Sequence, residues 1–251
     1  MPKADKKIEV ISIKQERVSF CVVGETPLIM NRLSEKAKRE FLLPSRKKNQ
    51  AERASIAKHD VIQEFRDSPH TLTNGPTLLA MPSTAFKGAL RSVAVDMPGA
   101  TKAQLGRLSY VEGEKIAIYG IPKLHMATVR QAGMAKTPDV RSRVIVPRWA
   151  AVVPIKYTVP MLNLKTINSL FQAAGLIIGV GDWRPEKGSG NFGTFRVVDE
   201  GDTEFNDIVT EGGRLAQEAG MHRADPYDAE TEELLDWFKG EAGDREFKVA
   251  T

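Results

Sequence analysis

The 251-residue chain has a single cysteine, Cys21, set in an apolar strand-like run, so no intramolecular disulfide can form. That usage fits a reducing, cytoplasmic interior. Aromatic residues are few, at 7% of the chain. No window approaches about eighteen uninterrupted apolar residues, so no membrane span is expected. The charged stretch Met1–Lys7 is followed by no apolar h-region, so no signal peptide is expected either. There is no Cys/His cluster with zinc spacing and no pair of carboxylates with a supporting motif. The expected cofactor list is therefore empty, and no metal is expected.

What the chain does have is charge sorted by position. It carries 36 Lys/Arg and 32 Asp/Glu, of which 5 and 16 fall beyond Val198, so the last 53 residues carry −11 and the first 198 carry +15. A body that basic, followed by an acidic tail, points to a polyanionic partner. A basic surface that serves only solubility is the competing reading.

The richest stretch runs from Gly179 to Phe195, with Gly179, Gly181, Gly188, Gly190 and Gly193 falling in fifteen residues alongside Arg184 and Lys187. Glycine at that density is tolerated where the backbone needs positive φ or close approach. Unpaired N–H groups beside Arg and Lys suit a phosphate oxyanion. No helix opens after the first glycines and no Gly-Lys-Ser/Thr follows, which excludes a dinucleotide fingerprint and a Walker A loop. A basic loop between two strands, Leu176–Ile178 before it and Phe195–Val198 after, is expected to grip a polyanion; a plain flexible hairpin loop is the alternative.

Elsewhere, β-branched alternation over Arg17–Val23 predicts a first strand, ended by Gly24-Glu25-Thr26-Pro27 and followed by Leu28–Arg32. Ala51, Ala54, Ala57, Val61, Ile62 and Phe65 recur at helical spacing, so a helix is expected over Asn49–Arg66. Ser83 reads as an N-cap for a helix whose apolar face is Phe86, Ala89, Leu90, Val93 and Met97. Lys87 and Arg91, four apart, share its other face and could hold phosphates near the first turn, or be merely solvated. Arg141, Arg143, Arg148 and Trp149 fall together before a β-prone run, Ala150–Val159. They could combine phosphate contacts with base stacking, or be surface arginines beside a core indole. Asn163 is expected to cap a helix on Leu164, Ile167, Leu170, Phe171 and Ala174 that Gly175 closes. Beyond Asp199 a helix is expected over Ala229–Phe238, with an apolar face (Leu234, Leu235, Trp237, Phe238) that needs cover from its own body or a partner.

Three of these stretches resemble the RAMP superfamily, the RRM-like proteins of CRISPR–Cas systems. Met81-Pro82-Ser83 with Phe86-Lys87-Gly88-Ala89-Leu90-Arg91-Ser92 is similar to the family's helix start. Gly181, Arg184, Gly188, Gly190 and Gly193 are similar to its glycine-rich loop, and Thr26-Pro27-Leu28 to its opening turn. The resemblance covers Val18–Val198; a basic insertion at about 31–70 and the acidic tail depart from it. It implies an α+β fold, a modified ferredoxin-like (RRM-like) domain over residues 1–198, with an acidic C-terminal helical extension over 199–251. The closest type is the backbone subunit of Cascade-type effector complexes. That implies a non-catalytic subunit in antiviral defense, stacked in several copies along a single-stranded guide RNA, with other effector subunits as partners and Arg141–Trp149 in or near a projecting thumb. The RNA-binding set it implies is Asn31, Arg32, Ser83, Lys87, Arg91, Arg141, Arg143, Arg148, Trp149, Gly181, Arg184, Lys187, Gly188 and Gly190.

Some relatives in that family are endoribonucleases, which use a histidine for metal-independent cleavage or a loop aspartate after the first strand. His59, His70, His125 and His222, and Asp60 and Asp67, are the residues to weigh, and none has a catalytic setting in the sequence. A stand-alone virus or plasmid protein that binds single strands or blocks an effector is the third reading.

Overall fold

A computed structural model of the chain describes residues 11–32, 42, 60–130, 138–187 and 190–249. In chain order the elements are β1 (Lys14–Gly24), β2 (Leu28–Ile29), α1 (Val61–Asp67), β3 (His70–Thr71), β4 (Leu79–Pro82), α2 (Ser83–Ser92) and α3 (Lys102–Leu108). There follow β5 (Ser109–Val111), β6 (Lys115–Ala117), β7 (Lys123–Arg130), β8 (Pro138–Val146), β9 (Ala150–Val159), α4 (Leu164–Ala173) and β10 (Phe195–Val198). The acidic region supplies α5 (Thr203–Glu211), α6 (Arg214–Arg223) and α7 (Ala229–Val249). The fold is mixed α and β, and its ladders are antiparallel.

The main sheet has the order β10-β1-β9-β5. Along β1 the side chains alternate: Phe20 and Val22 face a core shared with Phe86 and Leu90 of α2 and Phe171 of α4, while Cys21 and Val23 face Phe205 and Ile208 of α5. Period-2 alternation sends neighbouring residues to opposite faces, and both faces are covered at this end of the strand. The β7–β8 hairpin runs in register from Lys123↔Ile145 to Arg130↔Pro138, and β2 adds to β8 through Leu28↔Val146 and Ile29↔Ile145. A third sheet has the order β3-β4-β6.

Local chemistry explains the helix ends. Asn163 Oδ1 accepts from the Thr166 amide at 2.8 Å, so the expected cap forms. Thr101 and Gln104 make a capping box that starts α3, a helix the sequence reading does not anticipate. Ser83 is not the N-cap of α2: that position is Pro82, and Ser83 is the first helical residue, buried, with its amide donating to the Glu114 carbonyl. Asp60 caps α1, while residues 49–59 of the expected longer helix lie outside the described residues.

Two expectations around the glycine loop are corrected. Leu176–Ile178 is not a strand, because the helix continues past Ala173 as a wider π-type turn over Ala174–Ile178. Gly175 does not close α4 but sits inside that turn, where a Cβ would lie 2.2 Å from the Phe195 carbonyl oxygen. The glycine is there to let the helix lie directly on β10.

The acidic region is built into the body and does not form an appendage. Met221, Ala224 and Leu235 belong to the main core. Of the expected apolar face of α7, Leu235 is buried and Leu234 and Phe238 pack against the core, while Trp237 faces solvent at 64% exposure. Thr231 at the start of α7 accepts from the Met126 amide of β7, and Leu124 bonds both Asp225 and Tyr227 through its backbone.

Gln217 of α6 makes the firmest tie. Its Oε1 accepts from the Leu78 and Leu79 amides at 2.8 and 2.9 Å, and its Nε2 donates to the Ile118, Gly120 and Gly212 carbonyls at 2.7, 3.1 and 2.9 Å. Each buried polar group orphaned by its loss costs about 1–3 kcal/mol. Gln217→Leu, which keeps the volume, is therefore expected to lower the free energy of unfolding by at least about 3 kcal/mol in urea titrations; a loss below about 1 kcal/mol would show that water replaces the amide.

Candidate nucleic-acid interface

The glycine loop leaves the π-type turn at Gly179 and folds back on itself before β10. The Val180 amide donates to the Gly193 carbonyl at 2.8 Å, the Phe192 amide to Trp183 at 3.1 Å and the Gly193 amide to Pro27 at 2.9 Å. The Gly179 and Asp182 amides donate to Ala174 and Ile29. These five N–H groups are thus spent inside the protein and are not offered to a phosphate. At Gly193, with φ +73°, a Cβ would lie 1.7 Å from the Val180 carbonyl oxygen, so only glycine fits the crossing. Gly190 meets Trp183 in the same way; Gly181, at φ +84°, lies against Leu28 and Ile29 of β2; Gly188 lies outside the described residues.

Most of the loop's charge is also internally engaged. Asp182 accepts from Asn31 Nδ2 at 3.2 Å and forms an ion pair with Arg143, whose side chain is largely buried and lies 5.9 Å from the Trp183 ring centroid. Burial draws the Arg143 guanidinium below its ordinary value, and Asp182 opposes that shift. Arg184 donates twice to Glu186 Oε2, at 2.8 and 3.0 Å, and once to the Gly181 carbonyl at 2.9 Å. Burial alone would raise the Glu186 carboxyl, but hydrogen bonds from Ser92 and Arg184 and the nearby charges of Arg184 and Lys187 bring it below the usual range. Arg143 and Arg184 thus organise the loop. Trp149 is fully buried, its Nε1 donating to the Thr26 carbonyl at 2.9 Å and its ring packed on Phe195, so it offers no face to a base.

The remaining cations assemble differently. Ser92 Oγ, at the end of α2, donates to Glu186 Oε1 at 2.5 Å. This bond ties the loop beside Lys187 to the end of α2, where the Arg91 side chain lies along Gly106 of α3. One turn back, Lys87 Nζ sits 5.4 Å from the centroid of the Tyr110 ring, which is 52% exposed. Between the two cations of α2, Gly88 has open space where a side chain would be. Lys87, Arg91 and Lys187 form no ion pair among the described residues. Lys87 and Arg91 make a basic strip along α2 with an exposed aromatic ring beside Lys87, the combination that phosphate contact and base stacking require. Tyr110, Asp182 and Glu186 were missed in the sequence; an acidic pair inside a basic glycine loop was the available signal.

The other sequence candidates are scattered. Arg141, on β8, pairs with Asp139 at 3.1 Å. Arg148 is exposed at the β8–β9 turn, lining a separate cleft of about 330 Å³ with Lys123 and Arg223. Arg32 donates its amide to the Ser68 carbonyl, and Ser83 is buried.

Among the described residues weighed for catalysis, Asp60 caps α1 and Asp67 accepts from Gln63 at 2.9 Å. His70 lies in β3, and burial with the charges of Arg32 and Lys115 lowers its affinity for a proton. His222 is exposed in the last turn of α6, and His59 lies outside the described residues. His125 of β7 is enclosed by Tyr227, Trp183 and Phe192 at ring-centroid distances of 5.8, 6.3 and 6.4 Å, with neither ring nitrogen bonded. Burial lowers its value below the ordinary 6.5; Arg143 acts in the same sense, and Asp228 and Glu230 oppose it.

Two outcomes follow. Asp182→Ala leaves Arg143 without its carboxylate and is expected to cost about 3 kcal/mol in chemical unfolding; an unchanged midpoint would show that the pair contributes nothing. A histidine held below 6.5 binds fewer protons folded than unfolded, so its contribution is complete above 6.5 and is lost as the pH falls from 6.5 towards the folded value. His125→Phe should flatten that acid limb in unfolding experiments between pH 7 and pH 5, and an unchanged slope would refute the assignment.

No protein-family model matches the chain, and no curated protein matches it. Among solved structures it is similar to a chain of a Type III-B Cmr-beta structure bound to cognate target RNA, at a TM-score of 0.39 and 12% identity. The match covers 74% of this chain and 60% of that one, so the chain spans about three fifths of that neighbour's length.

Proposed function

We propose that the chain binds single-stranded RNA through its phosphates, as a non-catalytic backbone subunit of a CRISPR effector complex that stacks in several copies along a guide. The observation that carries the reading is the basic face of α2, Lys87 and Arg91, with Tyr110 beside Lys87 and with Lys187 next to the Glu186 that Ser92 bonds; the three cations have no ion-pair partner among the described residues. The segregation of charge, +15 against −11, supplies the attraction.

The sheet supports a ferredoxin-like, RRM-like reading. β1, α2, β5, β9, α4 and β10 succeed one another as β-α-β-β-α-β, and the strand order β10-β1-β9-β5 places the first strand centrally. The family-like helix start falls where β4 passes into α2, and the glycine loop falls between α4 and β10. α5 lies over Cys21, Val23 and Ala150 on the sheet face opposite α2 and α4, so RNA runs along the α2 strip and not across that part of the sheet. The catalytic alternative is disfavoured because Asp60 and Asp67 are occupied as cap and helix-side acceptor.

If about six phosphates are neutralised, log K should fall with log salt at a slope of about −4. Lys87→Ala, Arg91→Ala and Lys187→Ala should each weaken binding to unrelated sequences alike and reduce the slope by about 0.7. A slope near zero in the parent protein would sink the proposal. End-labelled RNA incubated with Mg²⁺ or EDTA should stay intact, and products that disappear in a His125 or Asp60 variant would replace the subunit reading with a nuclease.

A further inference from the structure

β1 is the longest strand of its sheet, and among the described residues one of its edges is open over part of its length. β9 pairs with it from Lys14 to Val23, but β10 pairs only with Cys21–Gly24. On the β10 side, Lys14–Phe20 has no strand partner among the described residues, an edge of about 23 Å. A groove of about 570 Å³ runs beside it, with Val18, Phe20, Leu164 and Val197 in its lining and Asp199 and Glu200 at the end where β10 stops. A row of unpaired backbone groups over apolar pockets is a template for an added strand.

We infer that this edge takes the N-terminal arm, Lys6–Ile13, of a second copy of the chain as an antiparallel strand. The choice of a second copy rests on the stacking reading above, and four observations favour the arm. Ile8, Val10, Ile11 and Ile13 make it β-prone, and Ile11 and Ile13 are 65% and 59% exposed ahead of β1. Six residues, Ile8–Ile13, match the length of the open edge. Antiparallel addition puts the start of the arm at the Phe20 end of the edge, bringing Lys6 and Lys7 against Asp199 and Glu200. Finally, Ile8–Ile13 contains no Gly, Pro, Asn or Asp, and Ser12 alone does not supply the positive-φ residues of a two-residue hairpin turn back onto its own β1. Donation from one copy to the next is a head-to-tail contact, which propagates a row and does not close a pair.

The test uses the full chain, with mass in solution measured with and without single-stranded RNA. Deleting Met1–Val10, or introducing Val10→Pro in the arm alone, is expected to reduce the assembly to the monomer while binding to a short RNA stays unchanged. Asp199→Lys with Glu200→Lys should do the same, and Lys6→Glu with Lys7→Glu should restore assembly. In a Cys21→Ser background, mixed Glu9→Cys and Ser19→Cys proteins should form a disulfide-linked dimer on oxidation. A parent protein that is monomeric throughout, an assembly that survives the arm deletion, or a cross-link confined within one chain carrying both cysteines overturns the inference. A parent that assembles through the arm but binds no RNA would overturn the RNA reading and leave this contact standing.

Discussion

The packing of Phe195 is the contact on which the rest of the molecule depends. Its ring lies 5.2 Å from Phe171 of α4, 5.9 Å from Phe86 of α2 and 6.1 Å from Trp149 at the head of β9. One fully buried side chain therefore joins both sheet-backing helices, the edge strand and the β8–β9 turn. Phe171 extends the cluster to Phe20 of β1 at 5.1 Å. The cluster also dictates two glycines: at Gly24 a Cβ would lie 2.1 Å from the Trp149 ring nitrogen, and at Gly175 it would overlap the Phe195 carbonyl. Because Phe195 ends the glycine loop, the same packing fixes where that loop can lie, and with it the position of Lys187 beside α2.

The sequence reading recovered what short-range physics controls. Arg17–Val23 and Ala150–Val159 read as strands because β-branched residues run through them, and they are β1 and β9. Asn163 read as a cap because its side chain bonds an amide three residues on. The failures came where tertiary contacts override local pattern. Leu176–Ile178 has strand composition, yet contact with Phe195 holds it in a helical continuation. Trp149 sits among arginines in sequence, but a large ring with one polar atom is most stable buried once a carbonyl meets that atom, as Thr26 does. Gly190 and Gly193 sit at close backbone crossings, and composition alone does not separate that use of glycine from anion binding.

Within the candidate site, the cations divided according to whether a carboxylate lies within reach. Arg184 reads as a phosphate ligand because it lies among glycines, and Arg143 because it lies with Arg141, Arg148 and Trp149. The structure gives them Asp182 and Glu186, residues two to thirty-nine positions away, and so makes them part of the scaffold. Lys87 and Arg91 read correctly as one helix face, since i,i+4 spacing is local. The tie between the loop and α2 is the Ser92–Glu186 bond across ninety-four residues, which no window of sequence contains.

The acidic extension resolves the electrostatic problem its own charge creates. A segment of −11 tethered to a basic body would be drawn to the most exposed cations and would mask them. Two carboxylates near its start, Asp202 and Glu204, are instead taken up by Arg196 of β10, which also pairs with Glu25. Gln217 and Leu235 then fix the following helices to β4, β6 and β7. Apolar packing and main-chain hydrogen bonds, little affected by salt, thus hold the extension where long-range attraction alone would not. The same arrangement closes part of one sheet face with Phe205 and Ile208 and leaves the α2 strip open. The placement of the tail therefore decides which surface of the body stays open as much as the placement of the lysines and arginines does.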